Sequence, residues 1–174
     1  ESRTNATKFF KLRWQPTDSW VSNLALEWNQ RASDSEFFAG KNYQIRERVL
    51  EPSGSWLPTP AFSLELRYRY SVQEDQLQAE DFRAQAHELS LETGWNKDSQ
   101  TNLEQRFSYV KMDFVGQANS PVGFAMLNGL QPGNNLIWNL SLNRQLGRNL
   151  QLQLSYEGRK TGIARVVHLG RAQV

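Results

Sequence analysis

The sequence predicts an all-β protein: a single domain of 174 residues that forms an antiparallel transmembrane β-barrel with about nine strands. Four stretches alternate apolar and polar residues over a greater length than an average strand, which has about 5 or 6 residues. A strand that crosses a bilayer needs about 9 to 11 residues. Tryptophan or tyrosine lies near the ends of the apolar rows. No run approaches the roughly 18 apolar residues of a membrane-spanning helix.

The clearest stretch has one apolar face and one charged face. Its alternation predicts a strand whose first row faces lipid and whose second row faces a polar interior. The apolar row is Phe62, Leu64, Leu66, Tyr68, Tyr70 and Val72, and the other row is Ser63, Glu65, Arg67, Arg69 and Ser71.

The other strands follow from the same alternation and from turn-forming residues between them. Pro16 to Ser19 predicts a tight first hairpin, and the polar Glu74 to Glu80 joins the fourth and fifth strands. The predicted strands are about Thr7–Gln15, Trp20–Asn29, Lys41–Glu51, Pro60–Gln73, Asp81–Trp95, Asn102–Val115, Leu136–Leu142, Leu150–Tyr156 and Gly162–Val174.

Two stretches depart from simple alternation. In the third strand Glu47 shares a face with Tyr43, Ile45 and Val49, which would place a carboxylate towards lipid unless the strand bulges or lies outside the bilayer. In the sixth strand the apolar phase changes after Tyr109, which predicts a β-bulge there.

The longest connection, Gly116 to Asn135, is predicted to contain a single helical turn within Val122 to Leu130. A loop of this length is expected to cap or enter the barrel interior.

Aromatic residues recur at a spacing that suits an interfacial girdle. Trp20 and Trp28 would lie about 27 Å apart along a strand, or about 21 Å along the membrane normal at a tilt near 40°. Phe62 and Tyr70 repeat this spacing. The girdle is predicted to comprise Trp14, Trp20, Trp28, Tyr70, Trp95 and Trp138.

Charged residues on the polar faces are predicted to point into the lumen. They would either line water and tune ion selectivity or pair into a network inside a closed barrel, and their nearly balanced signs favour pairing or weak selectivity. The predicted lumen-facing residues are Arg13, Glu27, Arg46, Arg48, Glu65, Arg67, Arg69, Glu88 and Glu92.

The predicted connections alternate in length. The short turns would share the periplasmic rim and the longer loops the outside rim, which places the C-terminus in the periplasm and the N-terminus outside. Bacterial single-chain barrels have an even number of strands. Nine strands therefore favour a C-terminal piece of a larger barrel over a complete eight-stranded one.

The last third of the chain carries a resemblance to a known group of proteins. The segments are Ala125 to Asn135, Trp138-Asn139-Leu140, Ser155 to Lys160 and His168-Leu169-Gly170. They resemble the C-terminal end of large, poorly characterised Bacteroidota outer-membrane proteins. The resemblance implies an outer-membrane barrel end with no catalytic residues, although such proteins are expected to finish with an aromatic residue and this chain ends at Val174.

Composition and motifs do not indicate an enzyme. The chain has 20 basic and 18 acidic residues, interspersed, which gives little support to nucleic-acid binding, and it has no cysteine. His87 and His168 have neither metal-ligand spacing nor a neighbouring nucleophile. We therefore expect no catalytic residue, metal site or cofactor. The expected partners are outer-membrane lipid, lipopolysaccharide phosphates near the basic turn Gly158 to Gly162, and other envelope proteins.

The sequence leaves two classes of function open. The first is a non-enzymatic outer-membrane barrel that acts as a scaffold, a channel or part of an export or uptake assembly. The second is a soluble antiparallel barrel or sandwich that binds a ligand inside, with the apolar rows as its core and the charged rows in solvent.

Overall fold

The computed structural model of the chain is one antiparallel sheet in which each strand pairs with its neighbours in sequence. It describes residues 2–36, 42–77, 82–97, 100–147 and 150–174. The nine strands are β1 (Ser2–Thr17), β2 (Trp20–Asp34), β3 (Tyr43–Thr59), β4 (Phe62–Asp75), β5 (Arg83–Lys97), β6 (Thr101–Val115), β7 (Gly133–Gln145), β8 (Gln151–Thr161) and β9 (Val167–Gln173). A single helix, α1 (Pro121–Leu127), precedes β7.

The all-β antiparallel prediction is confirmed, and all nine strands are present. The largest difference is in β3, which continues past Glu51 to Thr59. The strand contains Pro52 and Gly54, and the ladder to β4 resumes with Ser53 opposite Arg67 in the same register. The predicted strand ends Lys41 and Asp81, and the turn residues Arg148 and Asn149, lie outside the described residues.

The strand connections differ in length between the two ends of the sheet. At one end, which we call the short-turn rim, the strands are joined by residues 18–19, 60–61, 98–100 and 146–150. At the other end, the long-loop rim, the connections are residues 35–42, 76–82, 116–132 and 162–166. The predicted alternation of short and long connections is therefore present.

The two faces of the sheet differ in what covers them. We call the face that carries α1 the inner face and the opposite one the outer face. Large apolar side chains of the outer face remain uncovered in the described part of the chain: Leu12 is 55% exposed, Leu66 51% and Phe107 47%. They are not the core of a sandwich.

The helix α1 and the strands beneath it form the apolar core. Ser120 caps the helix by accepting a hydrogen bond from the Gly123 amide at 3.0 Å, and Asn128 ends it in the left-handed conformation. The buried cluster consists of Ile45, Phe82, Ala84, Met112, Val122, Met126 and Leu127. The sequence located this helix within Val122 to Leu130, and the loop that contains it lies on the inner face.

The predicted bulge at Tyr109 is absent. The register of β6 with both β5 and β7 runs through Tyr109 without a shift. Val110 and Met112 lie on the inner face, where they are 3% and 4% exposed. The apolar phase changes because α1 covers this part of the inner face and not because the strand slips.

The same helix corrects the faces assigned to β3. Ile45 belongs to the buried cluster under α1, so the row that contains Ile45, Glu47 and Val49 faces inward. Arg46 and Arg48 consequently lie on the outer face, in contrast to their prediction as lumen-facing residues. The Glu47 carboxylate therefore does not face lipid.

The sheet is open in the described part of the chain. Strands β1 and β9 are its two edges, and no pairing joins them. Both strands are exposed along their whole length. No helix within the described ranges is both long and apolar enough to cross a membrane.

Candidate functional site on the inner face

Two arginines on β4 organise a cluster of charges on the inner face. Arg69 contacts Glu51 at 3.1 Å and Glu47 at 3.7 Å, both on the neighbouring strand β3. Arg67 lies 3.6 Å from Glu51 and forms a short ion pair with Glu65 on its own strand. Because residues two apart share a face of a strand, the alternation in β4 places both guanidinium groups on one side.

Hydrogen bonds extend this cluster across the sheet to β2. Asn29 donates to Glu47 at 3.0 Å, and Gln73 donates to the same carboxylate at 3.3 Å. Arg31 donates to the Gln73 side-chain oxygen at 3.2 Å. Glu47 therefore has polar partners on both neighbouring strands, β2 and β4, which satisfies a carboxylate whose side chain is only 11% exposed.

A second set of polar contacts lies on β5 and β6. Arg106 forms an ion pair with Glu92. Ser90 and Ser108 share a hydrogen bond of 2.7 Å, and Ser90 donates to Glu88 at 3.0 Å. Among the described residues Glu88 has no basic ion-pair partner, so it adds an uncompensated negative charge to this wall.

A cavity of about 340 Å³ lies between the charge cluster and α1. One wall is polar and the other is formed by the helix and the turn that follows it. Its lining includes Glu47, Glu51, Arg67, Arg69, Gln73, Glu88, Met126, Leu127 and Leu130. Because Arg67 and Arg69 keep about a third of their side-chain surface exposed, the charges remain accessible to water.

One buried amide holds the loop against the sheet. Asn135 is fully buried, and its side chain accepts from the Gln131 amide at 3.2 Å. Its Nδ2 donates to the carbonyls of Gln131, Gly133 and Val110, at 2.9, 3.2 and 3.3 Å. The Gln131 carbonyl belongs to the loop, the Gly133 carbonyl to the first residue of β7, and the Val110 carbonyl to β6. The amide therefore fixes the end of the loop to the wall of the sheet.

The structure brings together five of the predicted polar residues, namely Glu65, Arg67, Arg69, Glu88 and Glu92. Arg13 on β1 and Glu27 on β2 also face inward, and neither forms an ion pair with this cluster in the described part of the chain. The sequence did not identify Arg106 and Asn135. It also did not identify Glu47 and Glu51, because the faces of their strand were assigned the wrong way round. For β3, the charged neighbours on β4 are the signal that would have indicated the correct face.

The residues predicted for the girdle all lie on the outer face, in two rows. Trp14, Trp20 and Trp95 are near the short-turn rim, and Trp28, Tyr70 and Trp138 are nearer the long-loop rim. Both rows contain aromatic residues beyond the six predicted for the girdle. The first row also contains Trp56 and Phe62, and the second also contains Tyr68, Tyr109 and Tyr156.

Trp14 and Trp56 occupy equivalent hairpins. Each begins a Trp-X-Pro-Thr sequence at the end of its strand, and each hairpin has a register shift between the tryptophan and the threonine. This repeat is the sequence signal that would have located Trp56. The Leu57 amide also donates to the Ser19 carbonyl at 2.8 Å, which links the two neighbouring turns.

Two glycines provide space for tryptophan rings on the outer face. A Cβ on Gly158 would overlap the indole of Trp138, and a Cβ on Gly54 would lie 3.2 Å from the ring of Trp20. His168 stacks on Tyr156 and accepts or donates a hydrogen bond at 2.8 Å to its hydroxyl. These contacts pack the aromatic rings of the outer face against neighbouring strands.

The two histidines lie on the outer face among aromatic side chains. His87 contacts Tyr68 and Tyr70 on the outer face, and His168 has a similar environment. No cluster of three or more potential metal-ligating side chains occurs within the described ranges.

Comparisons with known proteins add information on the fold. The chain superposes with a TM-score of 0.63 and 8% identity on a structure described as outer-membrane expressed OmpT of Vibrio cholerae, covering 89% of this chain and 46% of that chain. The chain thus spans about half the length of that protein. A NanC porin structure aligns less well, at a TM-score of 0.45 and 10% identity, over 90% of this chain and 85% of that chain. No family model matches the chain, and no curated protein matches its sequence.

These findings define the class of protein by fold. A nine-stranded antiparallel sheet with an uncovered apolar outer face and a charged inner face has the architecture of an outer-membrane β-barrel wall.

Proposed function

We propose that the chain forms part of the wall of a non-enzymatic outer-membrane β-barrel, and that its inner face lines a water-filled channel narrowed by the α1 loop. The observation that carries this proposal is the separation of the two faces. Apolar and aromatic side chains cover most of the outer face, whereas the inner face holds partly exposed charges and a cavity of about 340 Å³.

The open edges of the sheet require partners in a bilayer. Each unpaired backbone N–H or C=O group in hydrocarbon costs roughly several kcal/mol. A sheet that lies in a membrane must therefore pair its two edge strands. Strands β1 and β9 run in the same direction, because every neighbouring pair in the order is antiparallel. Pairing these edges with each other would create a parallel seam. We propose that further strands of a larger barrel close the sheet with antiparallel pairs throughout.

The asymmetry of the connections supports an orientation. Outer-membrane barrels have short periplasmic turns and longer outside loops. We therefore assign the short-turn rim to the periplasm and the long-loop rim to the cell exterior. Since β9 runs from the long-loop rim to the short-turn rim, this orientation places Val174 at the periplasmic side.

The charges around the cavity favour a weak preference for cations. Arg67 and Arg69 face Glu47, Glu51 and Glu88, which leaves one excess carboxylate in the lining. Because the remaining charges pair with one another, we expect modest and not strict selectivity.

Planar-bilayer conductance of the reconstituted barrel that contains this chain tests the channel. We expect an ohmic current. Under a salt gradient, the reversal potential should have the sign that indicates a preference for cations. Glu88→Gln should reduce that preference, and the matched outer-face variant Glu74→Gln should not. A folded barrel that gives no current would refute the channel and leave the scaffold role.

Folding is checked independently of current by electrophoresis. A closed barrel should migrate faster unheated than boiled, because it resists denaturation by detergent. Solubility without detergent and an unchanged mobility would instead support the soluble ligand-binding alternative.

A further inference from the structure

The long-loop end of the outer face carries cations that the apolar character of the face does not explain. Arg46 and Arg48 on β3 were expected in the lumen, but they point outward with exposed side chains. Lys8, Lys111 and Lys160 are exposed on the same face, on β1, β6 and β8. We call these five residues the basic belt.

The basic belt follows the second aromatic row. Lys8 and Arg48 are the cross-strand neighbours of Trp28 on its two sides. Lys111 is directly opposite His87, which contacts Tyr68 and Tyr70. Aromatic side chains at this position mark the boundary between hydrocarbon and headgroups. The cations therefore lie at the depth of the headgroups.

Acidic side chains do not neutralise the basic belt. Its five members have no ion-pair partner within the described part of the chain. Three carboxylates also lie on this end of the outer face. Glu74 is 3.9 Å from Arg83, Asp34 accepts from the Asn42 amide at 3.1 Å, and Asp113 faces Gln85. Positive charge remains in excess.

We propose that the basic belt binds the phosphate groups of an anionic glycolipid in the outer leaflet, a headgroup chemistry that lipopolysaccharide provides. The inference rests on the proposed membrane function and adds to it a specific lipid contact. Arginine and lysine near a membrane surface attract anionic headgroups, and arginine binds phosphate through two parallel hydrogen bonds. The tyrosines and Trp28 would contact the sugar and the upper part of the acyl chains.

The test measures binding of lipid A to the purified, detergent-solubilised barrel. The two probes are lipid A with both phosphates and the same lipid fully dephosphorylated. We expect tight binding of the phosphorylated form only. Lys8→Gln, Arg48→Gln and Lys111→Gln combined should weaken it on the order of 100-fold, since each cation contributes about fivefold.

The control combines Lys97→Gln with Arg144→Gln. These residues are also exposed cations on the outer face, but they lie together at the short-turn rim. The control should bind phosphorylated lipid A like the native protein.

Three results would overturn the proposal: equal affinity for the two probes, equal loss in the control, or competition by inorganic phosphate at the same concentration as the lipid. The gel-mobility shift separates the two proposals. A barrel that shows the shift but does not distinguish the probes refutes only the lipid contact, whereas absence of the shift refutes both.

Discussion

Replacing Asn135 with alanine should release the α1 loop from the sheet without unfolding the strands. The substitution removes the acceptor of the Gln131 amide and the donor to the carbonyls of Gln131, Gly133 and the buried Val110. An intramolecular hydrogen bond contributes about 1 kcal/mol, and a buried polar group left without a partner costs about 1 to 3 kcal/mol. The Asn135 NH₂ group has only two protons for three carbonyls, so these three bonds do not all contribute in full. We therefore expect the substitution to lower the free energy of loop opening by about 3 kcal/mol.

Amide hydrogen exchange of residues 117–131 measures this effect directly. If loop opening becomes easier by about 3 kcal/mol, exchange should accelerate by on the order of 100-fold, since about 1.4 kcal/mol corresponds to a factor of ten. Exchange in the central residues of β4 and β5 should remain unchanged, because the ladders do not depend on this side chain.

The matched control is Asn134→Ala. This neighbouring residue lies on the outer face, where its side chain accepts from the Tyr109 hydroxyl at 2.9 Å. Its removal should not affect the loop. Unchanged loop exchange in the Asn135 variant, or equal acceleration in both variants, would refute the conclusion that one buried amide fixes the loop.

Three further predictions follow from the packing. Gly158→Ala should displace the Trp138 indole and cost about 1 to 3 kcal/mol, seen as a lower temperature for loss of the fast-migrating band and a shift in tryptophan fluorescence, whereas Gly170→Ala has open space and should change neither. Gly123→Ala should accelerate loop exchange, because its Cβ would overlap backbone atoms; the gain of about 1 kcal/mol usual for this change in a helix would contradict that packing. Arg69→Gln should shift the reversal potential further towards cation preference, and an unchanged reversal potential would show that the cluster does not face the permeation path.

The sequence predicted the strands well because period-two alternation is a local property. In β4 the apolar and charged rows lie on the faces that the alternation indicated, and the loop helix begins one residue before its predicted range. Local patterns could not show that a segment distant in sequence packs onto part of the inner face. The α1 helix makes parts of the inner face apolar in β3 and β6, and both strands were misinterpreted there.

The candidate site was predicted in part for the same reason. Arg67 and Arg69 were identified from their strand alone, but their acidic partners Glu47 and Glu51 lie on the strand whose faces were reversed. Asn135 could not be recognised, because a single asparagine before an apolar strand has no local signature. Its importance depends on burial and on three carbonyls that only the folded loop brings together.

The strict pairing of each strand with its sequence neighbours makes the barrel wall modular. A hairpin can be gained or lost without altering the pairing partners of the remaining hairpins, so circumference can change in steps of two strands. The Trp-X-Pro-Thr turns of the first and third hairpins have the form expected of such a unit copied once within the sheet. Hairpin duplication would thus change the circumference of the sheet while the wall around Arg67 and Arg69 is retained.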